Sequence, residues 1–219
     1  MGINIWHSVI HPITRHFRKS RGRFLLEKFP NIAEYKICDL GGSRHFWDKI
    51  SVGIPTENIT IVNVSDGETQ SVSGTTDGSY KFVLYDGINI PFSDKSFDLL
   101  ICNSVLEHVP PKNREILAAE IDRVSKQVFI QTPAQEFPIE PHFLLPFIHW
   151  LPRKIGYHIV KISPWRILSK PSIDTLNSYY HGTILLNKNE IRKLFPSYEI
   201  HLEKFLGLTK SYYLMRKHT

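Results

Sequence analysis

A chain of 219 residues, 42% hydrophobic and 22% charged, has enough apolar material for one core of ordinary size and too little length for two full domains. Its 12 Gly and 14 Pro are scattered, which sets aside the collagen-like and low-complexity classes. The net charge of +6 is uneven: residues 1–30 hold six Lys/Arg against one acid, residues 141–173 hold five against none, and the rest carries 16 basic and 20 acidic groups. A mildly acidic body with two basic segments differs from a uniformly basic nucleic-acid binder.

In chain order, Phe17, Phe24, Leu25 and Leu26 among Arg and Lys fit an amphipathic helix in a basic segment over 1–30, stopped by Pro30 and Asn31. One domain over 31–219 follows. Its first strand is Ile37–Leu40, running into Gly41-Gly42, with a helix over Arg44–Ile50. Ile59–Val64 is a β-branched strand, followed by a polar loop, Ser65–Ser79. Lys81–Tyr85 and Phe97–Cys102 are further strands. A helix over Lys112–Val124 sets Ile116, Leu117, Ile121 and Val124 on its apolar face, and Gln127–Gln131 is a fifth strand. After a short helix near Glu190–Phe195, Tyr198–Phe205 and Ser211–Arg216, joined by Leu206–Lys210, make an antiparallel hairpin. The pattern is α/β: a Rossmann-like, mostly parallel sheet with helices on both faces.

Cys38 and Cys102 lie in apolar runs and fit neither a disulfide framework nor a zinc site, and no His/Cys/Asp cluster has metal-ligand spacing, so no metal is expected. The N-terminus is broken by His, Pro and Arg, and the apolar run Phe143–Leu151 contains Pro146 and His149, short of the roughly 20 residues of a membrane span. The expected location is cytoplasmic, with the basic segments suited to peripheral contact with an anionic membrane surface.

Ligands of an open parallel sheet bind beyond the carboxyl ends of its strands. Those ends supply Asp39-Leu40-Gly41-Gly42-Ser43, then Asn63, then Asp86-Gly87, then Asn103-Ser104. Glycines let backbone approach a ligand, and the Asp and Asn side chains suit an ammonium, ribose hydroxyls and an exocyclic amine. A nicotinamide dehydrogenase would need a third glycine that this turn lacks.

The runs YKICDLGGS, ITIVNVS, FVLYDG and DGINIPFSDKSFDLLICNSVLEHVP resemble the successive motifs of class I S-adenosylmethionine-dependent methyltransferases, type 11-like, from about Tyr35 to Pro133 and again in the terminal hairpin. The resemblance implies a seven-stranded sheet and S-adenosyl-L-methionine as cofactor. Its methionine end is expected at Asp39, Gly41 and Asn103, its ribose at Asn63 and its adenine at Asp86 and Gly87, with Gly42 and Ser43 also in the cofactor site. Ser43 and His45 stand where the family usually has Gly, and Asn63 where it has an acid, which removes a charge-assisted bond to ribose.

For proton transfer, His142 with Glu140 is the first candidate pair, past the fifth strand in a loop over the crevice, with satisfaction of backbone groups in that proline-rich loop as the equal alternative for both. His108, ending Leu106-Glu107-His108, is a second candidate with a helix-start and packing role as its alternative, and His181 is a weaker third. Residues about 134–180 form a substrate-side lid whose aromatic, Pro and basic content resembles lids of bacterial methyltransferases of glycan assembly. The acceptor is therefore expected to be a small molecule or a glycan- or lipid-linked compound, as in cell-surface polysaccharide biosynthesis. A quinone or other lipophilic acceptor is favoured if the lid encloses an apolar tunnel. A cofactor-degenerate scaffold binding a membrane surface is the non-enzyme alternative. Nucleic-acid methylation ranks third, since Asn103-Ser104-Val105-Leu106 stands where an Asn-Pro-Pro-Tyr-like motif would be.

Overall fold

The computed structural model of the chain describes residues 17, 19–50, 53–64 and 80–217. The polar loop expected at Ser65–Ser79 lies outside the described residues, as do residues 1–16 of the basic segment and the side chain of His45. Helix α1 (19–28) leads into strand β1 (Ile37–Leu40), helix α2 (Arg44–Ile50), β2 (Ile59–Asn63), β3 (Lys81–Leu84) and β4 (Phe97–Asn103). Helix α3 (Pro111–Val124) and β5 (Ser125–Pro133) follow, and the chain ends with helix α7 (Lys188–Leu194), β8 (Tyr198–Phe205) and β9 (Leu208–Arg216).

The seven strands run in the order β3-β2-β1-β4-β5-β9-β8. The first five are parallel, and β9 lies antiparallel between β5 and β8. The chain winds outward through β2 and β3, then returns to the other side of β1. Strand order therefore reverses between β1 and β4, which makes their carboxyl ends the natural crevice. Every residue of β1 is buried, as expected for a strand covered on both faces.

Two cores cover the sheet. On one face Leu25 and Phe29 of the N-terminal segment and Trp47 of α2 pack on Ile37, Ile61, Leu99 and Phe129. On the other, Leu117 and Ile121 of α3 and Ile191 of α7 pack on Cys38, Leu100 and Ile130. Cys38 and Cys102 are free and buried. The apolar face of α3 departs from expectation at Ile116, which is exposed; the buried positions are Arg114, Leu117, Ala118, Ile121 and Val124. Arg114 earns its buried place by donating to the carbonyls of Val109 and Ile184.

The terminal hairpin is tighter than the sequence implies. Pairing continues to Phe205↔Leu208, so a two-residue turn, Leu206-Gly207, joins the strands, with both residues at positive φ (50° and 81°). That is the type I′ geometry whose twist matches the flanking strands.

Between β5 and α7 the chain builds a separate cap. A short antiparallel pair, β6 (Ile139–Glu140) and β7 (Leu145–Pro146), precedes helices α4 (Arg153–Lys161), α5 (Pro164–Ser169) and α6 (Ile173–Gly182). The Ser163 and Ser172 hydroxyls accept the first free amides of α5 and α6. Phe143, Ile148, Val160, Trp165, Leu176 and Tyr180 give this cap its own core. Among the described residues no helix is long and apolar enough to cross a membrane.

Candidate active site

The carboxyl ends of β1, β2 and β4 converge on one edge of the sheet. Asp39 is buried at the end of β1, where its Oδ2 accepts the Trp47 indole N–H at 2.6 Å and its Oδ1 has no partner among the described residues. Burial raises its pKa to about 7, against the opposing pull of the Trp47 bond. The next turn is fitted around this carboxylate. A Cβ on Gly42 would lie 1.7 Å from Asp39 Oδ2, and Gly41 sits at φ +69° against Val105. Two successive glycines are therefore required sterically, one for contact and one also for conformation.

Asn63, at the end of β2, donates from Nδ2 to the Gly42 carbonyl at 2.9 Å and so ties the glycine turn to the neighbouring strand. Asp86 accepts the Ile88 and Asn89 amides on Oδ1 and the Asn89 side chain on Oδ2, bonds that hold its pKa below the usual carboxylate range. Its carboxylate builds its own turn, which Gly87 completes at φ +86°. Asn103 Oδ1 accepts a 2.5 Å bond from Arg21, a residue of α1. The Arg21 Nε is buried with no partner among the described residues.

The histidines expected to move protons form a second centre. Glu140 accepts the amides of His142 and Phe143 on Oε2, each at 2.8 Å, and its Oε1 lies 2.6 Å from His142 Nδ1. Burial disfavours the charged form of His142, but the Glu140 bond and charge outweigh it and its pKa is raised. The His108 ring lies edge-on to that of His142 at 5.0 Å, and although the residue reaches the surface, desolvation of its ring by the surrounding atoms together with the His142 charge lowers the His108 pKa to about 4. His181 lies apart from this pair, against Tyr157 and Tyr180.

Beside these centres is a chamber of about 470 Å³. Asn103, Ser104 and Gln131 line its sheet end, Phe137, Ile139, Pro141 and Leu144 come from the cap, and Phe17, Arg21, Phe205 and Lys210 close it. Most of its wall is apolar.

Residues 42–128 match the methyltransferase domain family. A search of curated proteins finds no match. Among solved structures, the PH0226 protein of Pyrococcus horikoshii OT3 superposes with a TM-score of 0.59 at 16% identity, over 92% of this chain and 89% of that one. Magnesium protoporphyrin IX methyltransferase from Synechocystis PCC 6803, solved with bound SAH, gives 0.56 at 13% identity over 93% and 84%. The Burkholderia thailandensis 1,6-didemethyltoxoflavin-N1-methyltransferase gives 0.54 at 12% identity over 90% and 76%. At such identities the likeness establishes the fold.

Two residues of this site escape sequence reasoning. Arg21 is hidden among the other cations of the basic segment, and only the folded chain brings it to Asn103, 82 positions away. Glu107 reads as an ordinary polar residue at a helix start. It is buried, bonded through Oε2 to Thr132 at 3.0 Å, and left with an unpartnered Oε1.

Proposed function

We propose that this domain transfers a methyl group from S-adenosylmethionine to a lipophilic or lipid-linked acceptor held in the chamber. S-adenosylmethionine supplies an electrophilic methyl on a sulfonium with a neutral leaving group, so alignment and exclusion of water do much of the work. The residues at the strand ends fit it: the unpartnered Asp39 Oδ1 is a buried acceptor, the Gly41-Gly42 turn admits close approach of a ligand, and the Asn63 side-chain carbonyl is available to a ribose hydroxyl while its amide holds the turn. Asp86 and Gly87 border the adenine end. Arg21, beside Asn103, is suited to the cofactor carboxylate through a charge-assisted bond.

The apolar chamber is the observation that carries the acceptor class. Its lining suits an aromatic or aliphatic body, and a glycan acceptor fits it best when lipid-linked. The toxoflavin enzyme, which shares this fold, was solved with 1,6-didemethyltoxoflavin bound, a small-molecule acceptor. The cap supports the lipid-linked reading independently. Ile155, Ile159 and Ile162 of α4 and its end are exposed at i, i+4 and i+7 spacing, beside Lys154 and Lys161, the composition of a helix that rests on an anionic membrane surface.

Calorimetry tests the cofactor assignment. S-adenosylmethionine and its demethylated product are expected to bind one per chain. Arg21→Ala should weaken both by roughly 10- to 100-fold, as for loss of a charged hydrogen bond of about 1.5–3 kcal/mol. It should leave 5′-methylthioadenosine, which lacks the carboxylate, unaffected. Absence of heat at millimolar ligand overturns the enzyme in favour of the scaffold.

A further inference from the structure

We infer that Glu107, His108 and His142 form a binding site for one divalent transition-metal cation, with Glu140 as the outer partner that orients His142. The three residues come from two parts of the chain. Glu107 and His108 lie on the turn after β4, and His142 lies in the loop between β6 and β7. Folding brings one ligand atom of each within 4.8 Å of the others. Spacing along the sequence conceals this, because 34 residues separate His108 from His142.

Two independent observations point to a cation. First, Glu107 is buried and its Oε1 has no hydrogen-bond partner among the described residues, although Oε2 is held by Thr132. A buried carboxylate oxygen left bare is costly, and a cation between it and the imidazoles removes that cost. Second, His142 has the arrangement of a metal-binding histidine. Its Nδ1 is bonded to Glu140 Oε1 at 2.6 Å, while Glu140 is itself pinned by the His142 and Phe143 amides, so the ring is fixed and Nε2 is the nitrogen left to ligate. On His108, Nδ1 lies 3.3 Å from the Thr183 hydroxyl, and the ring also bonds the Gly182 backbone.

Two imidazoles and one carboxylate select zinc, cobalt, manganese or iron(II) over calcium and magnesium, which prefer all-oxygen shells. Exposure increases from buried Glu107 to exposed His108, which provides an entry path and leaves outer coordination positions open. Pro141 and Ser104, close in sequence to the ligands, line the acceptor chamber. With its Nε2 on a cation, His142 is a ligand and not the free proton acceptor that the sequence suggests. The site does not depend on the methyl donor, so its test is separate from that of methyl transfer.

The full chain, stripped with a chelator, is titrated with Co²⁺ by absorption spectroscopy and with Zn²⁺ by calorimetry. The expected result is one ion per chain and a ligand-field spectrum of a mixed nitrogen–oxygen site. His108→Ala and His142→Ala should each weaken binding by at least about tenfold, and Glu140→Gln by about 10- to 100-fold. His108 is exposed, so its variant should fold, and far-ultraviolet circular dichroism checks that each variant does. No stoichiometric binding at micromolar metal overturns the site. Binding unchanged in folded His108→Ala also overturns it, since the ion then sits on other histidines.

Discussion

Asp39, Gly42 and Trp47 form a small unit in which each residue explains another. The carboxylate is buried because the indole N–H reaches it, and it fits because residue 42 has no side chain. Gly42→Ala would place a methyl 1.7 Å from Oδ2, with neither partner on a flexible surface arm. The expected outcome is destabilisation by about 1–3 kcal/mol, as for overpacking, together with weakened cofactor binding, read by urea unfolding and calorimetry. The same unit predicts a pH effect. The folded pKa of about 7 stands above the unfolded value near 4, so between these limits the folded state binds more protons. Asp39 therefore favours folding most below about pH 4, and its contribution declines as pH rises towards 7, by up to about 1.4 kcal/mol per unit. Stability of the wild type relative to Asp39→Asn should fall across that window and level off above it. The strand-end residues were legible in sequence because short β-branched runs end there. Arg21 and Glu107 were not, because their roles arise from contacts with Asn103 and Thr132 made only on folding.

At the scale of elements, the stretch Pro91–Asp98, part of the last run that carries the family resemblance, proves to be architectural. Arg123 of α3 donates to the carbonyls of Ile90 and Phe92 and pairs with Asp94 and Glu120, while Lys95, at φ +51°, donates its amide to the Arg123 carbonyl. This loop aligns β4, whose far end carries Asn103, so its bearing on the site is indirect. The cap was legible only as a region of unusual composition, since its core depends on partners such as Phe143 and Trp165 that no single periodicity joins. Gly156 in α4 shows why. Helix propensity alone would favour alanine by about 1 kcal/mol. A Cβ there, however, would meet the Tyr180 hydroxyl at 2.2 Å, which donates to the Arg153 carbonyl and locks α6 onto α4. Gly156→Ala should therefore destabilise the cap, seen as faster amide hydrogen exchange over residues 153–182 with little change in β1 and β4. Adding Tyr180→Phe should recover part of the loss, since the two residues share one contact.

For the whole molecule, the +6 charge is best understood by where it lies. One basic segment supplies Phe17 and, from α1, Arg21, which close the chamber; the other supplies the cap, where Lys154, Lys161 and Arg166 flank exposed Ile155, Ile162 and Ile167. A membrane-facing cap over an apolar chamber would let a lipid-linked acceptor enter without crossing water. If so, the protein should co-sediment with vesicles containing anionic lipid and not with neutral phosphatidylcholine, and added salt should weaken the binding, each nearby cation contributing about 1 kcal/mol. Ile162 is 76% exposed, so Ile162→Asp should leave thermal stability and cofactor affinity unchanged while sharply reducing co-sedimentation. Equal binding to neutral vesicles, or binding unaltered by Ile162→Asp, would assign the exposed isoleucines no part in a membrane contact and leave the chamber open to a freely diffusing acceptor.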